Sequence, residues 1–299
     1  MKDWKENFRA LSIKDYLEEA YSIKYSNMPS KLYRFRSVSK DNKDDVEKDY
    51  NIENLNKDVV WLSSPSDFND PYDSIPILNK YTLLSMVSED KIVKKYLENI
   101  NNKKDIKNFE EIMYNEIVNI LNNHTKNLGI TSFTECDYTN VLMWSHYANS
   151  HKGYCIEYDL SNLKINENNN SKYLYPIFYA KEIYDLTTPI FLFLKSQAYH
   201  TKEINIANYI TLATLFKAKD WAYEKEWRLV IIKPLFNLKD KDKDKQYPFI
   251  KPSALYIGLK ANENLKNTLI NIAKDKNIPI YQMEQNYKEY KLNKKQITV

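Results

Sequence analysis

Glycine is nearly missing from this sequence. Its 299 residues contain only Gly129, Gly153 and Gly258, each isolated, where average usage gives roughly 20. The loops GxGxxG, GxxxxGK[ST] and GxSxG each need two or more glycines within a few residues. A Rossmann dehydrogenase, a P-loop NTPase and an ordinary α/β-hydrolase are therefore excluded. Cysteine is as scarce. Cys136 and Cys155 provide neither a disulfide framework nor a CxxC site. The longest apolar runs, such as Ile190 to Leu194 and Leu229 to Ile232, fall far short of the ~20 residues of a membrane-spanning helix. The opening MKDWKENFRAL lacks the apolar stretch of a secretory signal. The expected location is the cytoplasm, with no membrane partner. Charge is also nearly balanced, at 44 Lys plus Arg against 40 Asp plus Glu, a net +4. That balance permits a nucleic-acid partner without arguing for one.

What is present is a soluble composition, 43% hydrophobic and 28% charged, with 25 tyrosines. The expectation is a single α+β domain over residues 1–299, because strands and helices mix without strict alternation. Period-2 alternation predicts strands at 32–38, 59–63, 130–134, 154–160, 221–232 and 253–260, with a further one at 278–283. Three- and four-residue spacing predicts helices at 13–26, 81–125 (broken at 99–108), 141–149, 189–217 and 263–275. Residues 39–58 read as a polar loop, and the charge run KDKDKDKQ (239–246) as a solvated hairpin loop.

Few residues have the spacing that chemistry needs. His146 and His151, in HYANSH, match neither HExxH nor a zinc-finger spacing. Asp67, Asp70 and Asp73 cluster in SPSDFNDPYDS, where turn aspartates usually bind their own backbone. Cys155 reads as a buried strand residue, since nothing places a thiolate-stabilising histidine beside it. The informative segment is Glu224-Lys225-Glu226. On a continuous strand Glu224, Glu226 and Arg228 share a face opposite Tyr223, Trp227 and Leu229. Two carboxylates beside an arginine are costly to bury unless paired. Arg34 and Arg36 share a face of an earlier predicted strand, and Ser63 and Ser64 end the next. Strand arginine, strand-end serine and Glu-x-Glu is the order of the Arg–Ser–Glu constellation of ADP-ribosyltransferases. Cleaving the N-glycosidic bond of NAD develops positive charge on the ribose, which a fixed carboxylate stabilises, while arginine pairs with phosphates.

The segments LYRFRS (32–37), WLSSPSDFNDPYDS (61–74), TSFTE (131–135), MWSHYANSHKGYCIEYD (143–159) and KDWAYEKEWRLV (219–230) together resemble the bacterial domain-of-unknown-function 2971 family. The family-like core runs from about 32 to 230, followed by a strand–helix–strand extension over 253–285. A fainter resemblance is to ADP-ribosyltransferase-like toxins. It implies an ADP-ribosyltransferase-like mixed sheet with helical insertions, and NAD as the substrate consumed. Arg34 or Arg36 would contact the phosphates, Ser63 or Ser64 would be the strand-end serine, Glu226 the catalytic carboxylate and Glu224 the residue orienting the acceptor. His146 and Tyr147 are expected to line the same cleft as Glu226, although Tyr147 and Trp144 also fit a core role.

The resulting expectation is an NAD-consuming bacterial toxin or anti-phage defence effector. Its acceptor would be protein or nucleic acid, and an antitoxin or regulatory partner would control it. Two other readings stay open. One is a metal-dependent nuclease with Asp67, Asp70, Asp73 and Glu157 or Glu226 as ligands. The other is a non-enzymatic binding or sensor protein that uses its tyrosines at an interface.

Overall fold

The computed structural model describes residues 4–13, 16–38, 46–100, 109–161, 170–201, 204–236 and 245–298. The chain opens with helices α1 (Trp4–Ile13) and α2 (Leu17–Ser26), strand β1 (Lys31–Arg36), helix α3 (Tyr50–Asn56) and strand β2 (Val59–Trp61). Three helices follow, α4 (Lys80–Glu89), α5 (Lys91–Ile100) and α6 (Phe109–Lys126). Next come β3 (Leu128–Thr134), α7 (Val141–Tyr147), β4 (Tyr154–Asp159), β5 (Leu174–Pro176) and β6 (Phe178–Ala180). Helices α8 (Thr187–Ala198) and α9 (Ile206–Ala213) lead to β7 (Phe216–Ala218) and β8 (Glu226–Ile232). The last elements are β9 (Gln246–Pro248), β10 (Ala254–Ile257), α10 (Glu263–Lys276), β11 (Ile280–Gln285) and β12 (Leu292–Ile297).

The α+β expectation holds. Among the described residues, eight strands form one mixed sheet in the order β12-β11-β10-β4-β1-β3-β8-β5. Only β10 and β11 run parallel, and α10 connects them; the other neighbours are antiparallel. Strand alternation sets the layers. Leu32, Phe133, Ile156, Trp227, Leu229 and Leu255 bury one face against Ile52 and Leu55 of α3 and Leu265, Leu269 and Ile272 of α10. The opposite face has two covers. Tyr33, Phe35, Cys155 and Tyr256 pack on Met143 and Trp144 of α7. Ile130 and Val230 pack on Phe8 of α1, Ala20 of α2 and Leu212 of α9. Helices α4, α5, α6, α8 and α9 make a separate apolar cluster around Leu83, Val93, Met113, Ile117 and Ile190.

Several expected elements differ. The predicted helix 13–26 begins only at Leu17, as α2; α1, which precedes it, had no counterpart in the sequence pattern, and the stretch 189–217 ends in the short strand β7. The loop expected over 39–58 contains α3, whose Ile52 and Leu55 face the core and whose Asp49 accepts the Asn51 N–H at 2.9 Å. The charge run 239–246 lies mostly outside the described residues, though Gln246 begins β9. The strand predicted over 221–232 begins only at Glu226. Residues Lys219–Glu224 form a 3₁₀ turn that ends at Lys225, whose φ is 46°. The alternation of WAYEKE imitates a strand, but the Thr134 hydroxyl takes the Glu224 carbonyl and the Glu135 N–H takes the Lys225 carbonyl. Those bonds turn the chain instead of extending it.

One feature of the sheet positions the site. β1 pairs with β4 across six residues and β3 pairs with β8 across seven, yet β1 and β3 share the single pair Tyr33–Thr134. Beyond that pair the two central strands diverge. Ser63, just past β2, bridges to Ile130, each donating its N–H to the other's carbonyl at 2.9 and 2.8 Å. Between the bridge and the pair, Ser132 is exposed in mid-strand. A central strand normally buries such a position, so the exposure marks a fork in the sheet.

Candidate active site

The fork holds a cavity of about 220 Å³. β1 contributes Tyr33, Arg34, Phe35 and Arg36, and β3 contributes Ile130 to Thr134. The segment between β1 and α4 adds Tyr50, Asn51, Trp61, Ser63, Phe68, Asn69 and Asp73, and other elements add Met143, Tyr147, Lys217, Glu224, Glu226 and Arg228. Six of the residues singled out as site candidates line this cavity: Arg34 and Arg36 from the α3 face of the sheet, Glu226 from the opposite face, and Ser63, Tyr147 and Glu224. Two do not. The Ser64 N–H donates to Asp67 Oδ2 at 3.2 Å, which ties Ser64 into its own turn outside the cavity. His146 is exposed on the far side of α7, its ring 6.0 Å from that of Tyr223. Adjacent residues on a helix point about 100° apart, so Tyr147 enters the cavity and His146 does not.

The acidic wall is fully paired. Arg228, 1% exposed, donates from Nε to Glu226 Oε1, from Nη2 to Asp73 Oδ2, and from Nη1 to Ser74 Oγ and the Thr214 carbonyl, all at 2.6–2.7 Å. Lys217 Nζ lies 2.5 Å from Glu224 Oε2 and 2.8 Å from Glu226 Oε2. Tyr147 donates its hydroxyl to Glu224 Oε1. The Glu226 N–H donates to the Tyr179 hydroxyl at 2.7 Å. These partners push the two carboxyls apart. Burial raises that of Glu226, but Arg228 and Lys217 outweigh it and bring it down to about 2. At Glu224 burial wins over Lys217 and the carboxyl is raised. Two acids with opposite shifts side by side are the pattern of a divided acid–base role.

The common side of Glu224, Glu226 and Arg228 is real, but strand alternation is not its cause. Glu224 ends the 3₁₀ turn, and the left-handed Lys225 folds its carboxylate back beside Glu226. Lys217 escaped the sequence reading. Its signal was the need of two buried carboxylates for a nearby cation, which the lone lysine of TLFKA could have met.

The basic wall is the reverse. Arg34 is 7% exposed, and among the described residues it has no ion pair or hydrogen bond; its Nε is buried without a partner. Its guanidinium lies 5.3 Å from the Phe133 ring centroid, a cation–π contact that leaves the donors free. Arg36 likewise has no ion pair or hydrogen bond among the described residues. Burial lowers its pKa, opposed by the hydroxyls of Tyr154 and Tyr50. Guanidinium groups left without partners in a buried setting are costly, and an anion is the kind of group that completes their donors.

The residues of the other readings are dispersed. Asp67 holds its own turn, Asp70 accepts the Trp221 indole N–H at 2.7 Å, and Asp73 is bound to Arg228. Glu157 is held apart by Lys31, Ser253 and Tyr256 at 2.8, 3.0 and 2.6 Å. Among the described residues no group of three or more His, Cys, Asp and Glu is arranged to hold a metal ion. Cys155 is fully buried and burial pushes its thiol up. His151 stacks near Trp144, with ring centroids 6.3 Å apart, and lies outside the cavity. No helix among the described residues is long and apolar enough to cross a membrane.

Residues 143–229 match the family model described as Protein of unknown function (DUF2971). The match takes in the MWSHYANSHKG and YEKEWR blocks on which the family resemblance rests. It is narrower than the 32–230 span read from motifs. Its residues supply Tyr147, Lys217, Glu224, Glu226 and Arg228, the whole acidic wall except Asp73; the arginines of β1 lie before it. No curated protein and no solved structure matches the chain.

Proposed function

We propose that the chain is an NAD-consuming enzyme of the ADP-ribosyltransferase type, acting as a toxin or defence effector in its cell. The observation that carries this reading is that Arg34 and Arg36, both without hydrogen-bond or ion-pair partners among the described residues, line one cavity with the fixed carboxylates of Glu224 and Glu226. The arginines suit a pyrophosphate, and the carboxylates suit a ribose that becomes cationic. In the reaction the N-glycosidic bond breaks and nicotinamide leaves with the bonding pair. Glu226, held ionised by Arg228 and Lys217, faces the positive charge left on the ribose. An acceptor nucleophile then bonds to the ribose carbon and gives its proton to Glu224, whose raised carboxyl suits a general base. A cavity of about 220 Å³ is smaller than the roughly 300–1,000 Å³ of sites that engulf a whole ligand. It therefore takes in one end of a dinucleotide and leaves the other at the mouth. The metal-dependent nuclease has less support, because its aspartates are dispersed and Asp73 is bound to Arg228.

Nicotinamide release by the purified protein tests the reading. Glu226→Gln keeps the shape and removes the charge, and should lower release by roughly 10²–10³-fold, the scale for one preorganised electrostatic contact. Glu224→Gln should spare NAD hydrolysis more than transfer to an acceptor. A wild-type protein that neither binds NAD nor releases nicotinamide, with protein and nucleic-acid acceptors supplied, would overturn the proposal.

A further inference from the structure

The cavity lining includes an aromatic pair whose side-chain polar atoms have no hydrogen-bond partner among the described residues. Tyr50, the first residue of α3, is 50% exposed although its ring lines the cavity. Trp61, the last residue of β2, lies beside it, with ring centroids 5.9 Å apart and planes inclined by 58°. Rings at that distance and angle are a tilted pair in contact, not a closed stack. Among the described residues neither the Tyr50 hydroxyl nor the Trp61 indole N–H has a hydrogen-bond partner. By contrast Trp144, Trp221 and Trp227 each donate theirs, to the Tyr138 carbonyl, Asp70 and Glu135. Lys245 Nζ stands 5.6 Å from the Trp61 ring.

The order of residues around the cavity is equally informative. Arg34, Arg36, Asn51 and Trp61 also share a small adjoining recess, which none of the carboxylates lines. The Tyr50 hydroxyl is close enough to Arg36 to influence its ionisation. The sequence of chemistry is thus aromatic pair, then arginines without partners among the described residues, then carboxylates. A flat π-system, an anion and a hydroxylated sugar would match those three zones in turn.

We propose that Tyr50 and Trp61 form a nucleobase subsite, so that the ligand of this cavity is a nucleoside diphosphate or its conjugate, with its base stacked on this aromatic pair and its phosphates on Arg34 and Arg36. The subsite rests on the proposed function for its third zone only; base and phosphate recognition stand without any turnover. An aromatic face holds a base largely regardless of its identity, while the guanidinium groups fix its phosphates. Asn51, whose amide N–H₂ donates to the Ser37 carbonyl at 3.0 Å, fixes the wall between the two.

Calorimetric titration with ADP and, separately, with inorganic pyrophosphate tests this. Wild type should bind ADP more tightly than pyrophosphate. Tyr50→Ala and Trp61→Ala should each weaken ADP by about 5- to 150-fold, the range for losing one base–aromatic stack, and leave pyrophosphate unchanged. Tyr50→Phe and Trp61→Phe should retain ADP, and they keep the test alive if the alanine variant of Trp61 fails to fold. Arg34→Met should weaken both ligands. The proposal is overturned if wild type binds ADP no better than pyrophosphate, if it binds neither, or if Tyr50→Ala keeps full ADP affinity. Base-dependent ADP binding without nicotinamide release would sink the transferase reading and leave the subsite standing. Release that is indifferent to Tyr50 and Trp61 would do the opposite.

Discussion

Arg228 and Arg34 are the same residue type, both buried, both on central strands, and both lining one cavity, yet their surroundings differ completely. Arg228 makes four short hydrogen bonds and neutralises two carboxylates. Arg34 has only the face of Phe133. The first is architecture: it lets Glu226 and Asp73 be buried at all. The cost of the second is offset, among the described residues, only by that ring face; under the proposed function a bound anion completes the donors of Arg34. The difference follows from the fork. β8 is paired on both sides by β3 and β5, and the chain around it had to satisfy a charge in a closed space. β1 is left open toward β3, so its arginines face the cavity.

The largest expected effect tests the architectural half. Arg228→Met strands Glu226 and Asp73 without their shared cation, and removing one partner of a buried pair costs about 3–5 kcal/mol. Urea denaturation near neutral pH should show that loss. Arg34→Met should leave stability unchanged or raised, since it removes a buried charge without a partner among the described residues, and should weaken anion binding. A comparable loss of stability in both variants would erase the contrast.

The next effect tests how the fork is held open. An alanine Cβ at Gly153 would stand 2.0 Å from the Arg36 carbonyl oxygen and 3.2 Å from Ala148 Cα. Both obstacles are backbone, so β1 itself would have to move. Gly153→Ala should cost about 1–3 kcal/mol, as for other overpacked sites, and should weaken pyrophosphate binding because Arg36 moves with the strand. Unchanged stability would mean that the end of β1 is less constrained than its contacts suggest.

Most strands and the positions of both walls were legible in the sequence, because alternation and the apolar faces of β1, β3, β4 and β8 agree. Two things were not. The 3₁₀ turn before β8 hid behind a period-2 pattern, since local alternation says nothing about the Thr134 and Glu135 bonds that turn the chain. The pairing of the charges was also invisible. Lys217 comes from the small β6–β7 sheet and Asp73 from a turn 155 residues before Arg228, and no local pattern announces such distant partners. The sequence could place Arg34, Ser63 and Glu226 in order along the chain, but the fork that lets them share a cavity is a property of two strands failing to pair.

A smaller effect separates the two acids of the paired wall. Glu226 has its carboxyl lowered to about 2 when folded, below the ~4.3 of an unfolded glutamate. Its contribution to stability is therefore complete above the unfolded value and lost as pH falls from there toward 2. Glu224 is raised, so it imposes a cost at neutral pH that is relieved as pH falls. Glu226→Gln should flatten the acid loss of stability, whatever its effect on the level at pH 7. Glu224→Gln should remove the opposing component and steepen it. Denaturation midpoints between pH 2 and 7 read both slopes; identical slopes in the two variants would contradict the division of roles.

The smallest effect concerns two neighbours on α7. Tyr147 donates its hydroxyl to Glu224 in the cavity, while His146 stands outside with its ring near Tyr223. Tyr147→Phe keeps the ring and removes one hydrogen bond to the Glu224 carboxyl. That bond favours the ionised acid, so its loss should raise the Glu224 carboxyl further and move the acid limb of any transfer activity to higher pH. His146→Ala removes an exposed side chain away from the cavity, and its stability should stay within about 0.5 kcal/mol of wild type. Nicotinamide release should be unaffected. Melting curves and release rates of the two variants side by side would check this. If His146→Ala lost activity while remaining folded, the boundary drawn between Tyr147 and His146 would be in the wrong place, and the site would extend onto the outer face of α7.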